Sequence, residues 1–479
     1  MPETSTGSAP ATRATSAEPL ASGATSPPPA GRGWLLAALL GATVLGTISN
    51  NIVNVPLRQI IADFDAPVTQ GVLVAAASVL VLAVAMPLTG WISDRLGRRR
   101  TLVIALCVLL VGTIGAATAP NLALMVVSRG LQGLGCAAVP VAVMGTLARS
   151  FAPQHRNRVM GAWGAANGIG QAIGPPVGGL VADAFGWRAI FGALIPVTLG
   201  VLILTLRVVP RDAGHSTRID GVGAGSLTVG VALLMTAATA APQPGVPGWL
   251  PLAGVVLGLA SLVVFVIAGL RRRAPFIDPR LLLETRWLRS ATGVFVQQSS
   301  LAAVLVAVPL YLTGVAGLSV SVTGLLVFSL PLVWAVAAPL VGLLADRVGP
   351  RPVLRTGLAL LAAVDVGLAI VLGAGITRLA PVIVLMLAAG TAIALVQTPA
   401  LTGATRSPAG QRGAGLGLFN MMRFVGAATG TAGVAAAWPD GLLWLFGACA
   451  AVAVGGLVLS FLGREIPDAP EPVTVVRPG

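Results

Sequence analysis

No lysine occurs in this sequence; all thirty basic residues are arginine. Without a P-loop lysine the chain cannot build a Walker-type phosphate site, so an ATP-driven pump in one polypeptide is excluded. Charge is scarce too, at 10% of residues against about 25% in soluble domains. So few charges cannot cover the water-facing surface of a soluble chain this long. Histidine occurs twice and cysteine three times. Cys107, Cys136 and Cys449 lie far apart in apolar runs, which excludes a disulfide framework or metal spacing and reads as buried packing. His155 and His215 fall in polar loops without a second ligand, so no metal site is expected. No nucleophile–base constellation appears, and no enzyme is expected.

What the chain has instead is apolar length, with 56% hydrophobic residues. Uncharged runs such as 34–57 and 101–128 each match one or more bilayer crossings, at about 20 residues apiece. A net charge of +14 would suggest nucleic acid in a soluble protein. In a polytopic membrane protein it reflects arginines in cytoplasmic loops, and no nucleic-acid partner is expected. Residues 1–33, rich in Ser, Thr, Ala and Pro, cannot bury enough apolar surface to order and read as a disordered cytoplasmic tail. They lack the pattern of a signal peptide.

Charged loops and Pro/Gly breaks predict fourteen helices: 34–56, 70–92, 101–119, 122–147, 159–182, 188–209, 221–240, 249–270, 290–313, 320–345, 354–374, 380–402, 414–436 and 441–462. With the N-terminus inside, twenty-five arginines fall on the cytoplasmic side, three outside and two within helices. That asymmetry satisfies the positive-inside rule and puts both termini in the cytoplasm. The expected organisation is a six-helix bundle at 34–209, two inserted helices and a cytoplasmic loop at 210–289, a second bundle at 290–462, and a cytoplasmic tail at 463–479.

The two bundles are related. Gly90-Trp-Ile-Ser-Asp94-Arg95-Leu-Gly97 recurs as Gly342-Leu-Leu-Ala-Asp346-Arg347-Val-Gly349, and Gly170 and Gly174 find counterparts in Gly426 and Gly430. Repeats of this kind place a site near the bilayer midplane, at their interface. Gly90 allows close helix approach and Gly97 a tight turn, with Arg98 following. Asp94 suits an arginine or a helix N-terminus. Gly170, Gly174 and Gly178 recur every fourth residue and give a flat ridge, beside Pro175, Pro176 and Gly179. Arg129, costing about 2.5–3.5 kcal/mol at mid-helix, must face protein or a wet cavity, with Gln132 one turn on. Arg423, with Asn420 before it, reads similarly. Asp365 is the one carboxylate well inside a helix; desolvation favours the neutral acid, so such a group can load and release a proton. Asn50, Asn51, Asn54, Asn167, Gln171, Gln297, Gln298 and Gln397 are cavity or interhelical hydrogen-bonding candidates.

The loop after the second helix resembles the signature motif of the major facilitator superfamily. Arg129-Gly-Leu-Gln132-Gly133 is similar to the intramembrane arginine motif of its proton-coupled members, and Gly170 to Gly179 to the antiporter motif. Shorter matches at 51–55, 187–188, 278–282 and 309–312 extend the likeness over nearly all of 34–462, as in the 14-helix QacA/EmrB-type drug:proton antiporters. The resemblance implies an all-α fold of two six-helix bundles plus two inserted helices in the inner membrane. It further implies an interdomain latch at Gly90, Asp94, Arg95, Gly97, Arg98, Asp346 and Arg347, and coupling at Arg129; Asp365 is a coupling candidate from its own chemistry, on a helix that the resemblance makes a peripheral support. The implied function is export of small hydrophobic compounds by proton antiport and alternating access, with the proton gradient as energy source and no cofactor. Export of an endogenous metabolite or lipid-like molecule, and a non-transporting sensor on the same scaffold, are the alternatives. One departure matters. Many relatives carry an Asp where this chain has Ser49, and Arg58 stands where Pro is common. An interior with Arg129 and Arg423 against Asp365 favours neutral or anionic compounds over cations.

Overall fold

The computed structural model describes residues 29–53, 56–66, 73–212, 214, 220–240, 246–272, 275–318, 320–438 and 440–463. Among them run fourteen helices of eighteen residues or more, and no strand. They are α1 (Pro29–Asn51), α2 (Leu73–Leu96), α3 (Arg98–Ala117), α4 (Leu122–Ser150), α5 (Arg156–Phe185), α6 (Trp187–Val208) and α7 (Gly221–Ala240). Then follow α8 (Trp249–Arg271), α9 (Thr285–Gly314), α10 (Val320–Val348), α11 (Pro350–Gly373), α12 (Leu379–Arg406), α13 (Gly413–Ala437) and α14 (Leu442–Leu459).

Twelve are long and apolar enough to cross a membrane. The other two, α5 and α13, match them in length but carry the glycine-rich stretches with Asn167, Gln171, Asn420 and Arg423. Both are packed between neighbours, where small and polar residues replace lipid-facing ones. Several helices overrun the expected spans: α5 begins at Arg156 rather than 159, and α9 at Thr285 rather than 290. Hydropathy stops where charge begins, whereas the helical hydrogen-bond ladder continues into water. Cys107 corrects another expectation. It is exposed on α3 rather than buried, while Cys136 is buried and Cys449 half-buried; all three are free.

Helices α1–α6 form one bundle, with α1 on α5 and α6, α2 on α4, and α3 on α4 and α6. Helices α9–α14 form the second, with α9 on α13, α10 on α12, and α11 on α12 and α14. The bundles meet along α2–α13 and α5–α10, while α7 and α8 pack on each other beside α2 and α13. Burial follows position. The best apolar window of α4 is 78% buried and that of α8 only 17%, so α4 is an inner helix and α8 presents its leucines and valines outward.

The repeat has a structural counterpart. Gly97 and Gly349 join α2 to α3 and α10 to α11 with φ of 85° and 89°, a left-handed conformation that glycine adopts without a Cβ penalty. Arg99 donates to the Leu206 carbonyl at the end of α6. Arg351, at the equivalent place, donates to the Ser460 and Phe461 carbonyls at 3.1 and 2.8 Å, beyond the end of α14. In each bundle an arginine thus satisfies orphan carbonyls at a helix C-terminus. At the opposite end of the first bundle, Arg188 donates to Asp63 at 2.6 Å and lies over the Trp187 ring. This hydrogen bond holds the Asp63 carboxyl below its ordinary range.

Candidate functional site

A cavity of about 230 Å³ opens between the bundles, lined by α1, α2, α4 and α5 from one and α9 and α13 from the other. Ligand pockets typically start near ~300 Å³. Asn50, Asn51, Asn167 and Gln171 line one side; Gln298 and Arg423 line the other. Leu82, Met86, Leu301, Leu305 and Phe424 complete an apolar wall. Among its described lining residues, Arg423 is the only charged one.

Arg423 is well buried, and its neighbours leave it electrostatically unanswered. Its Nη1 donates a long 3.4 Å bond to Asn420 Oδ1, its Nε has no partner, and its guanidinium lies 5.2 Å from the centre of the Trp163 ring on α5. No carboxylate among the described residues pairs with it. The cation–π contact crosses from one bundle to the other and holds the charge at the cavity wall. Asn420 also crosses, its Nδ2 reaching Met144 Sδ on α4 at 3.4 Å. On the α1/α5 side the amides are partly spent. Asn51 Nδ2 donates to Thr47 O at 2.9 Å, Asn167 Nδ2 to Trp163 O at 3.0 Å, and Asn50 Oδ1 accepts from Ser78 at 3.2 Å.

Arg129 is near the cavity but not on its wall. It is fully buried and donates to the carbonyls of Val74 (3.0 Å), Ser49 (2.9 Å) and Asn50 (3.3 Å), and to Gln132 Oε1 (2.7 Å). Gln132 in turn donates to Thr113 Oγ1 at 2.9 Å. The guanidinium thus gathers the last turn of α1 and the first of α2 onto α4, with no acidic partner among the described residues. The Ser49 hydroxyl is buried and unpaired.

One end of the cavity is sealed. A Cβ placed on Gly90 would lie 2.1 Å from the Gly413 carbonyl oxygen, and one on Gly342 2.7 Å from that of Asn157. Only glycine permits α2 to touch α13 and α10 to touch α5 so closely. Gly161 repeats the pattern against Ala338, at 2.5 Å. Asp94 accepts from the Gly413 amide with both oxygens, at 2.8 and 2.7 Å, and so caps the first residue of α13 with a negative charge. The second copy of the motif differs. Asp346 and Arg347 stand exposed and make no hydrogen bond or ion pair among the described residues, so only one bundle's motif is engaged. Arg95 lies over the Trp91 ring rather than across the seam. Arg98 lies 3.8 Å from Asp212, whose carboxylate also accepts from the amides of Arg98 (2.8 Å) and Arg99 (3.1 Å). Asp212 therefore caps α3, a role sequence reasoning missed. The cue was an acid just past α6, but nothing local says it folds back more than a hundred residues.

The glycine ridge of α5 lies against α1: Cβ atoms on Gly170, Gly174 and Gly178 would sit 2.7 Å from Thr47, 3.4 Å from Asn51 and 2.2 Å from the Ile52 carbonyl oxygen. The helix continues through Pro175 and Pro176, with Gly179 half-buried. Of the remaining candidates, Gln297 and Gln397 are fully buried behind the cavity, and Asp365 is fully buried on α11 with its Oδ1 accepting from Ser300 at 2.6 Å. Asn54 lies outside the described residues. No group of three His, Cys, Asp or Glu among the described residues could hold a metal.

The Major Facilitator Superfamily profile matches residues 37–431. The multidrug resistance protein Stp of Mycobacterium tuberculosis is 32% identical over 81% of this chain and 73% of its own length. The drug efflux pump JefA of the same species is 31% identical over 87% of this chain and 80% of its own length. Among solved structures, the human organic anion transporter MFSD10 superposes with a TM-score of 0.65 at 17% identity, covering 91% of this chain and all of that one. The proton:xylose symporter XylE gives 0.66 at 16%, covering 89% and 94%. These two share the fold. A two-bundle helical architecture with a cavity at its seam, a glycine-mediated seal and this sequence kinship lead to one assignment: the chain is a membrane transporter belonging to the major facilitator superfamily.

Proposed function

We propose that the protein exports small hydrophobic compounds, neutral or anionic, in exchange for protons, by alternating exposure of the central cavity. The observation that carries the reading is the cavity wall itself. Its contacts come from both bundles, it is apolar with a few amides, and it carries one unanswered cation, Arg423. A cationic compound would meet that charge at short range with nothing to offset it, whereas a carboxylate or sulfonate would find a partner.

The arginine distribution supports a cytoplasmic position for the Asp94–Gly413 seal, and on that reading the conformation described here is closed to the cytoplasm. The relatives named for drug resistance and efflux support export as the direction. Opening the seal breaks the Asp94 cap and parts Gly90 from Gly413, letting the compound enter from the cytoplasm; closing restores both and releases it outside. One proton entering down a membrane potential supplies about 2.3 kcal/mol per 100 mV, enough for about a fiftyfold gradient of a neutral compound.

The test is efflux from a pump-deficient host. Adding a protonophore should stop export, while draining ATP at a maintained proton gradient should not. Export that survives the protonophore would remove the exchange mechanism. Export of quaternary ammonium dyes with no movement of neutral or acidic compounds would remove the substrate class.

A further inference from the structure

We infer that Asp365 is a proton-binding site reached from the central cavity around α9, through Gln298, Gln297 and Ser300. This deepens the proton-exchange reading above by giving the proton a residence outside the substrate cavity.

The carboxyl is isolated. Asp365 is fully buried on α11; its Oδ1 accepts from Ser300 Oγ at 2.6 Å, and its Oδ2 has no partner. The helices packed on α11 bring no counter-charge to this depth. On α9 the charged groups are Arg286 and Arg289, on α10 Asp346 and Arg347, and on α12 Arg406, all at the ends near the seal; α14 carries none. Arg355, the nearest charge on α11 itself, is ten residues away, about 15 Å along the axis. Cys449 on α14 is the titratable neighbour. A lone charge without water or a partner is expensive, whereas the neutral acid needs only one or two hydrogen bonds. Binding or losing a proton here therefore changes the packing energy around α9.

The route out is also built. Gln297 lies three residues before Ser300 and shares its face of α9. It is fully buried, its Oε1 has no partner, and its Nε2 donates to Gln298 Oε1 at 2.9 Å. Gln298 lines the cavity beside Arg423. A string of polar groups therefore runs from the cavity to Asp365, interrupted only between Gln297 Oε1 and Ser300 Oγ, both able to accept from a water entering from the cavity. In the transfer, Ser300 gives its hydroxyl proton to the Asp365 carboxylate and takes one from a cavity-derived hydronium. The hydroxyl is regenerated, the hydronium leaves as water, and the carboxylate becomes the acid. The same stretch of α9 is clamped to α13, because Cβ atoms on Gly426 and Gly430 would lie 2.5 and 2.1 Å from the carbonyl oxygens of Phe295 and Ser299. A shift of α9 on proton binding is thereby passed to the helix that carries Arg423.

The experiment is infrared difference spectroscopy on the purified full-length protein between mildly acidic and alkaline buffers, in water and in heavy water. The wild type should show a carboxylic-acid carbonyl stretch that Asp365→Asn abolishes and whose deuterium shift Gln297→Leu slows by about tenfold, the effect of losing one ordinary hydrogen-bonding step. Should Asp365→Asn fail to accumulate, Asp365→Glu serves instead and should move the band. A spectrum without an Asp365-dependent band would overturn the site, and deuterium exchange as fast in Gln297→Leu and Ser300→Ala as in the wild type would overturn the route. Proton flux in vesicles separates this from the exchange reading. The band with its slowed exchange supports the site even where flux is absent; flux without the band overturns the site and leaves exchange standing.

Discussion

Replacing Arg423 with glutamine is the perturbation with the sharpest expected signature, because it removes the only charge among the described residues of the cavity wall while leaving a polar amide in its place. Two unit charges about 4 Å apart interact by about 4 kcal/mol at an effective dielectric constant of about 20. Stripping water from the anion takes back part of this, and hydrogen bonds to charged groups net about 1.5–3 kcal/mol. Arg423→Gln should therefore weaken an anionic compound by about ten- to hundredfold, while a neutral compound of the same shape keeps its affinity. A naphthoate and its methyl ester make a matched pair for uptake into everted vesicles. Arg423→Lys separates charge from geometry: it keeps the positive charge but loses the planar face that stacks over Trp163. Naphthoate transport should partly survive in the lysine variant and fail in the glutamine variant. If acid and ester fall together in both variants, Arg423 is a packing residue and the substrate argument fails.

Gly90→Val should abolish transport in a protein that still inserts and folds, because the added side chain meets the Gly413 backbone across the seam rather than within a bundle. Gly192→Val, where nothing lies within 4 Å, should leave transport intact; equal activity in the two variants would contradict the seal. Asp94→Asn removes the negative cap on α13, worth up to about 2 kcal/mol in a partly buried site. It should raise the alkylation rate of an Ala414→Cys reporter, which is buried when the seal is closed, and an unchanged rate would count against it. Arg129→Leu should lower thermal stability, since the carbonyls of Val74, Ser49 and Asn50 lose their donor at about 1–3 kcal/mol for each group left unpaired. Arg129→Lys should restore only part, having no planar fork.

The fold was largely legible because its two signals, apolar run length and arginine sidedness, are local and additive. Even α5 and α13, less apolar than the rest, were marked off by the charged loops and Pro/Gly breaks on either side of them. For Asp94 the sequence left two partners open, an arginine or a helix N-terminus, and the structure gives it the second. Which helix it caps was not legible, because Gly413 lies 319 residues away. The motif's second copy was misleading in the other direction. Asp346 matches Asp94 in sequence but makes no such contact among the described residues, since the repeat gives it an equivalent position without an equivalent partner geometry. Cavity membership was the least legible. Gln297 and Gln298 are adjacent and chemically identical, yet only Gln298 lines the cavity, because one residue on a helix turns a side chain by about 100°. The Arg423–Trp163 contact and the Asp212 cap are tertiary, and no spacing rule reaches them.

The central claim, that two bundles rock about the cavity and that the Gly90–Gly413 seam is one of two alternating gates, is tested most directly by paired distances. Spin labels at Gln154 and Val348 report the sealed end, and labels at Phe185 and Val315 the opposite end; all four positions are exposed and none belongs to the seal or the cavity wall. On shifting pH or adding a transported compound, electron–electron double resonance should show one distance lengthening as the other shortens. Distances that move together, or that stay fixed while transport proceeds, would contradict the account.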